Sequence, residues 1–423
     1  MANTRDPVRI LSLLKNVKRG ELTIVENHEQ HQFGHSGKDI PRVTIQVHHD
    51  RFWVRVALRN DLGFAEAYMD QDIDVDNLVA FITLFLVNRN ELANGDVGPS
   101  WVTQLLNRWR TSYLANTITN AVYNVRAHYD LDEKLFSSFL DPTWTYSCAI
   151  WRNPDDTLEQ AQVRKLESVI AKARLTAQDH VLDLGCGWGS FALMAAQRIG
   201  CQVTCVTLSS QQWSAVVTRV RKAGVAKLVQ VLLCDYRCLD PQVYQFDKIV
   251  SVEMVEAVGA EFLATFFRCC HQLLHPQHGL LVLQGIVMPE AHYAEYHQSV
   301  DFIRQYIFPG GECPTITSLV QAATEGSEGQ LVVDHLENLP WHYAKTLRMW
   351  RQSFNDNFPA LATLTAASFP AQKQDCYRPI YDESFRRKWD YYFSYCEAGF
   401  DTRTLGVVQM VFTRIANPRL LVS

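Results

Sequence analysis

The segment Val181-Leu182-Asp183-Leu184-Gly185-Cys186-Gly187-Trp188-Gly189 places three alternate glycines directly after a short apolar run, and Ser190 to Ile199 then reads as a helix. Residues without a Cβ let the backbone turn tightly and come close to another group. A turn of this kind between strand and helix lies at the carboxyl end of a strand, where open α/β sheets bind their ligands. The surrounding pattern supports such a sheet. Ala161 to Leu175 and Ser209 to Ala223 read as further helices, and Gln202 to Thr207, Val229 to Leu233, Lys248 to Val252 and Leu280 to Leu283 as apolar strands. Strands alternating with helices predict a doubly wound α/β fold with a parallel sheet covered on both faces. Val407 to Phe412 is a late strand, expected at the antiparallel edge.

The glycine spacing is GxGxG and not the GxGxxG of dinucleotide sites, which weakens the case for a pyrophosphate cofactor. Asp183, two residues before the first glycine, suits a ligand with an ammonium group. Together these features point to S-adenosylmethionine, held by Asp183, Gly185, Gly187 and Gly189. The competing account is that the glycines only let strand and helix pack closely. A second strand ending at Thr207, where a ribose is expected, favours the ligand. That strand ends without a carboxylate, so Thr207 and the Gln212 amide are the neutral groups available to ribose hydroxyls.

Before this region the chain changes character. Val43, Ile45 and Val47, then Phe52, Val54 and Val56, alternate with polar residues and predict two strands joined at His49 and Asp50. After Asn60-Asp61-Leu62-Gly63 the pattern becomes helical through Leu78 to Val87, giving an α+β domain over residues 1–100. Residues 101–127 read as a connecting helix and 128–423 as the catalytic domain. Asp6 is placed to cap a helix starting at Pro7, with Val8, Leu11, Leu14 and Val17 as an apolar stripe between basic residues.

Composition narrows the function. Forty basic against 45 acidic residues give a net charge of −5, so nothing points to nucleic acid. The 11 cysteines include no CxxC pair and suggest free thiols in a reducing compartment, with no metal site. The longest apolar run, Leu78 to Val87, is too short to span a bilayer, and Met1 to Gly20 lacks the apolar core of a signal peptide. The expectation is a cytoplasmic protein that touches a membrane peripherally. Residues 1–20 carry five basic and one acidic side chain, a local excess where anionic lipid would be met.

Several further segments stand in a specific order: His128-Tyr129-Asp130-Leu131, Thr145-Tyr146-Ser147-Cys148-Ala149, Val206-Thr207-Leu208-Ser209-Ser210-Gln211-Gln212, Glu253-Met254-Val255-Glu256-Ala257-Val258-Gly259, and Tyr306-Ile307-Phe308-Pro309-Gly310-Gly311. With the glycine loop they resemble the cyclopropane-fatty-acyl-phospholipid synthase family, which includes the mycolic acid cyclopropane synthases, over about Asp61 to Arg414. The resemblance implies a Rossmann-like class I methyltransferase domain preceded by a lipid-engaging α+β domain. It also implies transfer of a methylene carbon from S-adenosylmethionine to the cis double bond of an unsaturated phospholipid acyl chain, closing a cyclopropane ring. A methyl- or methylene-bearing product and a non-enzymatic lipid-binding protein are the alternatives, and a homodimer is left open.

Carried over residue by residue, the resemblance puts Tyr146, Ser147, Gly185, Gly187, Thr207, Gln212 and Asp235 at the methyl donor. It assigns Cys148, Glu256, Gln284, Ile286 and Tyr343 to a bound bicarbonate that acts as base. Gln284 stands where bacterial synthases commonly have His, and Ala257 replaces the His of a Glu-His-Val-Gly segment; both match the plant-type branch. Transfer to an alkene leaves a carbocation, which needs a dry and preferably aromatic pocket. His292, Tyr293, Tyr296, Phe302, Tyr306 and Phe308 are the candidates, with the hydrophobic core as their other use. With Glu256 orienting the base, Glu256→Gln is expected to keep methyl-donor binding and lose most turnover.

Overall fold

The computed structural model describes residues 5–35, 37, 41–93, 133–367 and 381–420. The expected helix over 101–127 and the His128-Tyr129-Asp130-Leu131 motif lie outside the described residues.

These residues fall into two compact units. In the first, four strands, β1 (Gly20–Glu26), β2 (Glu29–His35), β3 (Arg42–Val47) and β4 (Ile73–Val75), pair in the order β2-β1-β3-β4. The sequence reading places no strand before Arg42, yet Leu22 and Ile24 are as buried as Val43 and Ile45 beside them. Asn27 (φ 47°) and His28 (φ 70°) close the β1–β2 hairpin. Two left-handed residues give a turn whose twist matches that of the strands.

The strand expected at Phe52 to Val56 is instead the start of a helix, Arg51–Met69. Phe52 and Trp53 are both buried, at 3% and 2% exposure. Neighbouring residues of a strand point to opposite faces, so only a helix buries both on one side. The helix breaks at Asn60 (φ 49°), and a Cβ on Gly63 would lie 2.1 Å from the Arg55 carbonyl oxygen.

The helix Leu78–Val87 forms as expected, with Asn77 Oδ1 accepting from the Ala80 N–H at 3.0 Å. Its Phe81 stacks on Phe64 with ring centroids 4.0 Å apart, which makes it a core element of this unit. The N-terminal helix runs Arg5–Leu14, beginning before Pro7. The Asp6 side chain lies outside the described residues, so its capping role has no counterpart here. Val17 falls past the helix end, and the apolar stripe divides: Leu14 and Val17 are 4% exposed, Val8 is 68% exposed.

Residues 298–307 and 347–404 also belong to this first unit, which interrupts the domain expected over 128–423. The cause is an aromatic core closed by distant parts of the chain. Tyr391, on the helix Glu383–Asp401, packs against Phe302 at 4.6 Å and Phe64 at 6.4 Å. Local sequence patterns carry no signal for that return.

The second unit is the doubly wound α/β fold. Strands β5 (His180–Leu184), β6 (Gln202–Thr207), β7 (Val229–Leu233), β8 (Lys248–Val252), β9 (Leu280–Val287), β10 (Leu331–Asn338) and β11 (Gly406–Arg414) form one sheet in the order β10-β11-β9-β8-β5-β6-β7. β5 to β9 run parallel. β11 is antiparallel to its neighbours, as expected, but it is not at the edge. All nine of its residues are buried, and β10, exposed at seven of eight positions, takes the edge. Alternate residues feed two cores: Leu182, Ile249, Leu281 and Phe412 on one face, Val181, Val203, Val250 and Val282 on the other. Full burial of such side chains is worth about 1.5–3 kcal/mol each. This sheet holds the carboxyl ends of β5, β6 and β8 in fixed register, and the chemistry-bearing side chains gather there.

Candidate active site

The glycine loop follows β5. Gly185, Gly187 and Gly189 all adopt left-handed backbone, with φ of 74°, 52° and 81°. The N–H groups of Gly185 and Cys186 donate to the Val206 carbonyl at 3.1 and 3.2 Å, which ties the loop to β6. A Cβ on Gly185 would lie 2.6 Å from Met254 Cγ, and one on Gly189 2.9 Å from Val216 Cγ1; at Gly187 it would meet nothing within 4 Å among the described residues. Close packing therefore accounts for two of the glycines, and no described residue crowds Gly187, which leaves it free to approach a ligand.

At the end of β6, Thr207 Oγ1 donates to Gln212 Oε1 at 2.8 Å and accepts from the Ser209 N–H at 3.1 Å. Ser209 caps the helix Ser210–Lys222 by accepting from the Gln212 N–H. With its oxygen taken, the buried Gln212 amide keeps its NH2 group as a donor. The Asp235 carboxylate is gripped by Arg237, whose Nε and Nη2 donate at 2.9 and 2.6 Å.

Beneath the loop, Asp183 is 3% exposed, and its Oδ2 has no hydrogen-bond partner among the described residues. Burial pushes its carboxyl up to about 7, partly offset by the charge of Lys165. An orphaned buried carboxyl oxygen suits an incoming ammonium, as the sequence suggests. Lys165 itself is buried, donates to Ser147 Oγ at 2.8 Å, and is pulled down to about 8 by burial, with Glu253 the largest opposing charge. Gln162 Nε2 donates to the Ser147 carbonyl at 2.7 Å. The Tyr146 ring packs edge-on against Phe136 at 5.3 Å and Phe139 at 5.8 Å, and Trp188 packs on Phe136 at 5.6 Å.

Two carboxylates lie just past β8. Glu253 adopts a left-handed conformation, φ 50°, with its N–H donating to the Gln284 carbonyl at 2.7 Å. Its Oε1 accepts from the Cys148 N–H at 2.8 Å and Gln284 Nε2 at 2.7 Å, and its Oε2 accepts from the Tyr343 hydroxyl at 2.6 Å. Glu256 Oε1 accepts from the Ile286 N–H, and its Oε2 is buried with no partner among the described residues. Burial raises both carboxyls, and Glu256 is pushed up to about 8 by burial and then by the nearby charge of Glu253.

The residues expected around a base are thus brought together, but around two centres: Cys148, Gln284 and Tyr343 on Glu253, and Ile286 on Glu256. Cys148 contributes its backbone N–H, since burial holds its thiol well above the ordinary range and Sγ donates to the Ala149 carbonyl. Glu253 and Lys165 were missed. Glu253 lies in the same motif as Glu256, three residues earlier, but nothing in the sequence displays its left-handed backbone or its three donors. The aromatic cluster after residue 291 is divided between the two units. The Tyr293 hydroxyl donates to Glu312, and Tyr296 accepts from the Cys313 N–H, in the second unit. Phe302 and Tyr306 belong to the first, where Phe302 packs on Tyr391 and the Tyr306 hydroxyl donates to Glu66.

Comparison with known proteins fits this build. Residues 116–410 match the family model for mycolic acid cyclopropane synthetase. Tuberculostearic acid methyltransferase UfaA1 of Mycobacterium tuberculosis (strain ATCC 25618 / H37Rv) is 34% identical over 371 residues, 86% of this chain and 81% of that protein. Cyclopropane-fatty-acyl-phospholipid synthase of Escherichia coli (strain K12) is 33% identical over 379 residues, 88% of this chain and 87% of its own. Among solved structures, mycolic acid cyclopropane synthase CmaA1 complexed with SAH and CTAB superposes with a TM-score of 0.59 at 30% identity, covering 69% of this chain and 98% of that one. A family match over more than half of the chain, on a sheet and glycine loop of this architecture, places the protein in the mycolic acid cyclopropane synthetase family.

Proposed function

We propose that this protein transfers a one-carbon unit from S-adenosylmethionine to the cis double bond of an unsaturated phospholipid acyl chain and closes it into a cyclopropane ring. The observation that carries the reading is the convergence, at the carboxyl ends of β5 and β8, of a glycine loop, an orphaned buried carboxyl oxygen and two buried glutamates, each held by its own donors. When bound, the methyl donor supplies an electrophilic methyl on sulfur. Asp183 faces its ammonium, Gly185, Gly187 and Gly189 admit it, Thr207 and Gln212 meet the ribose hydroxyls, and Tyr146, Ser147 and Asp235 complete the site. The rings of Phe136, Phe139, Tyr146 and Trp188 keep water from the reacting carbons. Aromatic faces also favour a developing cation by about 0.5–2 kcal/mol.

Bicarbonate does not fit the residues as they stand. Three donors that the family resemblance assigns to it, the Cys148 N–H, Gln284 Nε2 and the Tyr343 hydroxyl, are taken by the Glu253 carboxylate. A further anion would have to displace that side chain, and no step of the reaction is assigned to it.

Similarity to a tuberculostearic acid methyltransferase supports a second reading, in which the same cation loses a different proton and the product bears a methyl or methylene branch. Incubation with labelled S-adenosylmethionine and unsaturated phospholipid vesicles, followed by mass analysis of the acyl chains, tests both. A gain of one methylene that resists mild hydrogenation is the expected result; a reducible product supports the branch, and no transfer to any lipid rejects both in favour of a lipid-binding role.

The contact with lipid is proposed to be peripheral. No helix among the described residues is long and apolar enough to cross a membrane. Val8, Arg9, Lys15, Lys18 and Arg19 are exposed at the N-terminal helix and just beyond it. Basic residues beside an exposed apolar one suit an anionic lipid surface. Lys15→Glu with Lys18→Glu leaves the buried Leu14 and Val17 in place and is expected to lower co-sedimentation with phosphatidylglycerol vesicles severalfold at low salt. Undiminished binding would remove this segment from the interface.

A further inference from the structure

We propose that the Glu253 carboxylate is the catalytic base of this enzyme, built into the chain where the family resemblance puts bicarbonate, so that turnover needs no bicarbonate. The proposal rests on the ring-forming reading above and names the group that completes it.

Three donors from separate parts of the chain converge on one carboxylate: the Cys148 N–H and Gln284 Nε2 on Oε1, the Tyr343 hydroxyl on Oε2. Bicarbonate presents the same planar O–C–O unit, and Glu253 supplies it covalently. The surroundings are polarised to receive an anion. Lys172 Nζ can only donate, and it donates to Gln409 Oε1, which also accepts from Ser168 Oγ. Gln409 Nε2 must then donate onward, to Gln284 Oε1 at 2.8 Å, which leaves Gln284 Nε2 to donate to Glu253. Gln284 is therefore held as a donor from behind. A chain that fixes the direction of a buried amide positions the group the amide touches, and here that group is a carboxylate.

The neighbouring carboxyl takes the complementary part. Glu256 Oε1 accepts from the Ile286 N–H, and its Oε2 has no partner among the described residues. Two close carboxyls in unequal surroundings divide the roles: the better-solvated one carries the charge and the other keeps its proton. Glu253, whose two oxygens accept from three donors, is the member held as a carboxylate; burial raises its carboxyl, and these donors and then the charge of Lys165 oppose that.

The step balances without any further reactant. The alkene π pair bonds to the donor methyl carbon while the sulfur–carbon bond breaks and its electron pair stays on sulfur. A Glu253 oxygen then accepts a proton from the transferred carbon, and the released C–H pair forms the last side of the ring. Glu253 afterwards returns that proton to water.

The experiment compares the wild-type protein, Glu253→Gln and Glu253→Gly in CO2-free buffer with and without added bicarbonate. Glycine suits the left-handed backbone at this position, so Glu253→Gly removes the carboxylate without straining the chain. Wild-type turnover is expected to change less than twofold with bicarbonate. Glu253→Gln should lose about 10²–10⁴-fold in turnover, the range for removing a general base. Glu253→Gly should be equally slow and recover at least tenfold when bicarbonate is added. Two readouts do not depend on turnover: S-adenosylhomocysteine binding by calorimetry should be unchanged in both variants, and carbon-13 NMR should detect bicarbonate bound to Glu253→Gly but not to the wild type. Wild-type turnover that falls severalfold on bicarbonate removal, or a Glu253→Gln variant as fast as wild type, would overturn the proposal while leaving the ring-forming reading in place. Absence of any transfer by the wild type would overturn both.

Discussion

Gly185→Ala is expected to abolish measurable binding of S-adenosylhomocysteine and to lower the melting temperature. Gly185 sits at φ 74°, and a Cβ there would lie 2.6 Å from Met254 Cγ and 2.9 Å from Met254 Cβ. The left-handed backbone alone costs a side-chain-bearing residue about 1–2 kcal/mol. The clash adds to this, because Met254 lies between Glu253 and Glu256 in the chain and cannot retreat without moving one of the two carboxylates. Strain and clash are borne by the folded protein with or without ligand and so appear in the melting temperature, while binding is lost because a loop displaced to relieve them no longer presents the backbone that the ligand approaches. Gly187→Ala is the informative partner. Its φ is 52° and its Cβ would meet no atom of the described residues within 4 Å, so it should weaken ligand binding with a smaller loss of melting temperature. Calorimetric titration beside thermal melts checks the pair, and wild-type affinity in both variants would remove the loop from the ligand site.

Glu256 should make the protein less stable as pH rises from about 5 to 8, and Glu256→Gln should abolish that dependence. In the unfolded chain this carboxyl ionises near its ordinary value of 4.5; in the fold, burial and the charge of Glu253 hold its proton until about 8. Between those values the folded protein carries one proton more than the unfolded chain, so stability falls by up to about 1.4 kcal/mol per pH unit and the loss is complete above the folded value. Glutamine does not titrate. Its advantage over the wild type in melting temperature should grow through this window, and parallel profiles for the two proteins would show Glu256 ionised throughout. The same protonation state revises the expectation for catalysis. A carboxyl that is neutral at pH 7 is well replaced by an amide, whose oxygen still accepts from the Ile286 N–H. Glu256→Gln should therefore keep most of its turnover, unlike Glu253→Gln.

Much of the second unit is readable in the sequence because its signals are local. Apolar runs of four to six residues spaced by amphipathic helices mark β5 to β9, and their observed limits fall within a few residues of the expected ones. The glycine loop is legible because glycine adopts at least cost the left-handed backbone that all three positions take. The first unit reads less well. Phe52, Val54 and Val56 alternate as a strand would, yet the helix wins because Phe52 and Trp53 are buried together. The β1–β2 hairpin went unseen because its turn residues, Asn27 and His28, are not the Asn-Gly or Asp-Gly pair that usually announces such a turn.

What the sequence by itself determined is the alternation of strands and helices, the glycine loop with Asp183 before it, and the motif residues that meet at the two glutamates. Which of two glutamates three residues apart receives the donors was decided only in the folded protein. Cys148, Gln284 and Tyr343 lie far from Glu253 along the chain, and their hydrogen bonds depend on how β9, β11 and the helix Pro340–Ala367 are set beside β8. Motif spacing records neighbours along the chain; the charge on a buried carboxylate depends on neighbours in space.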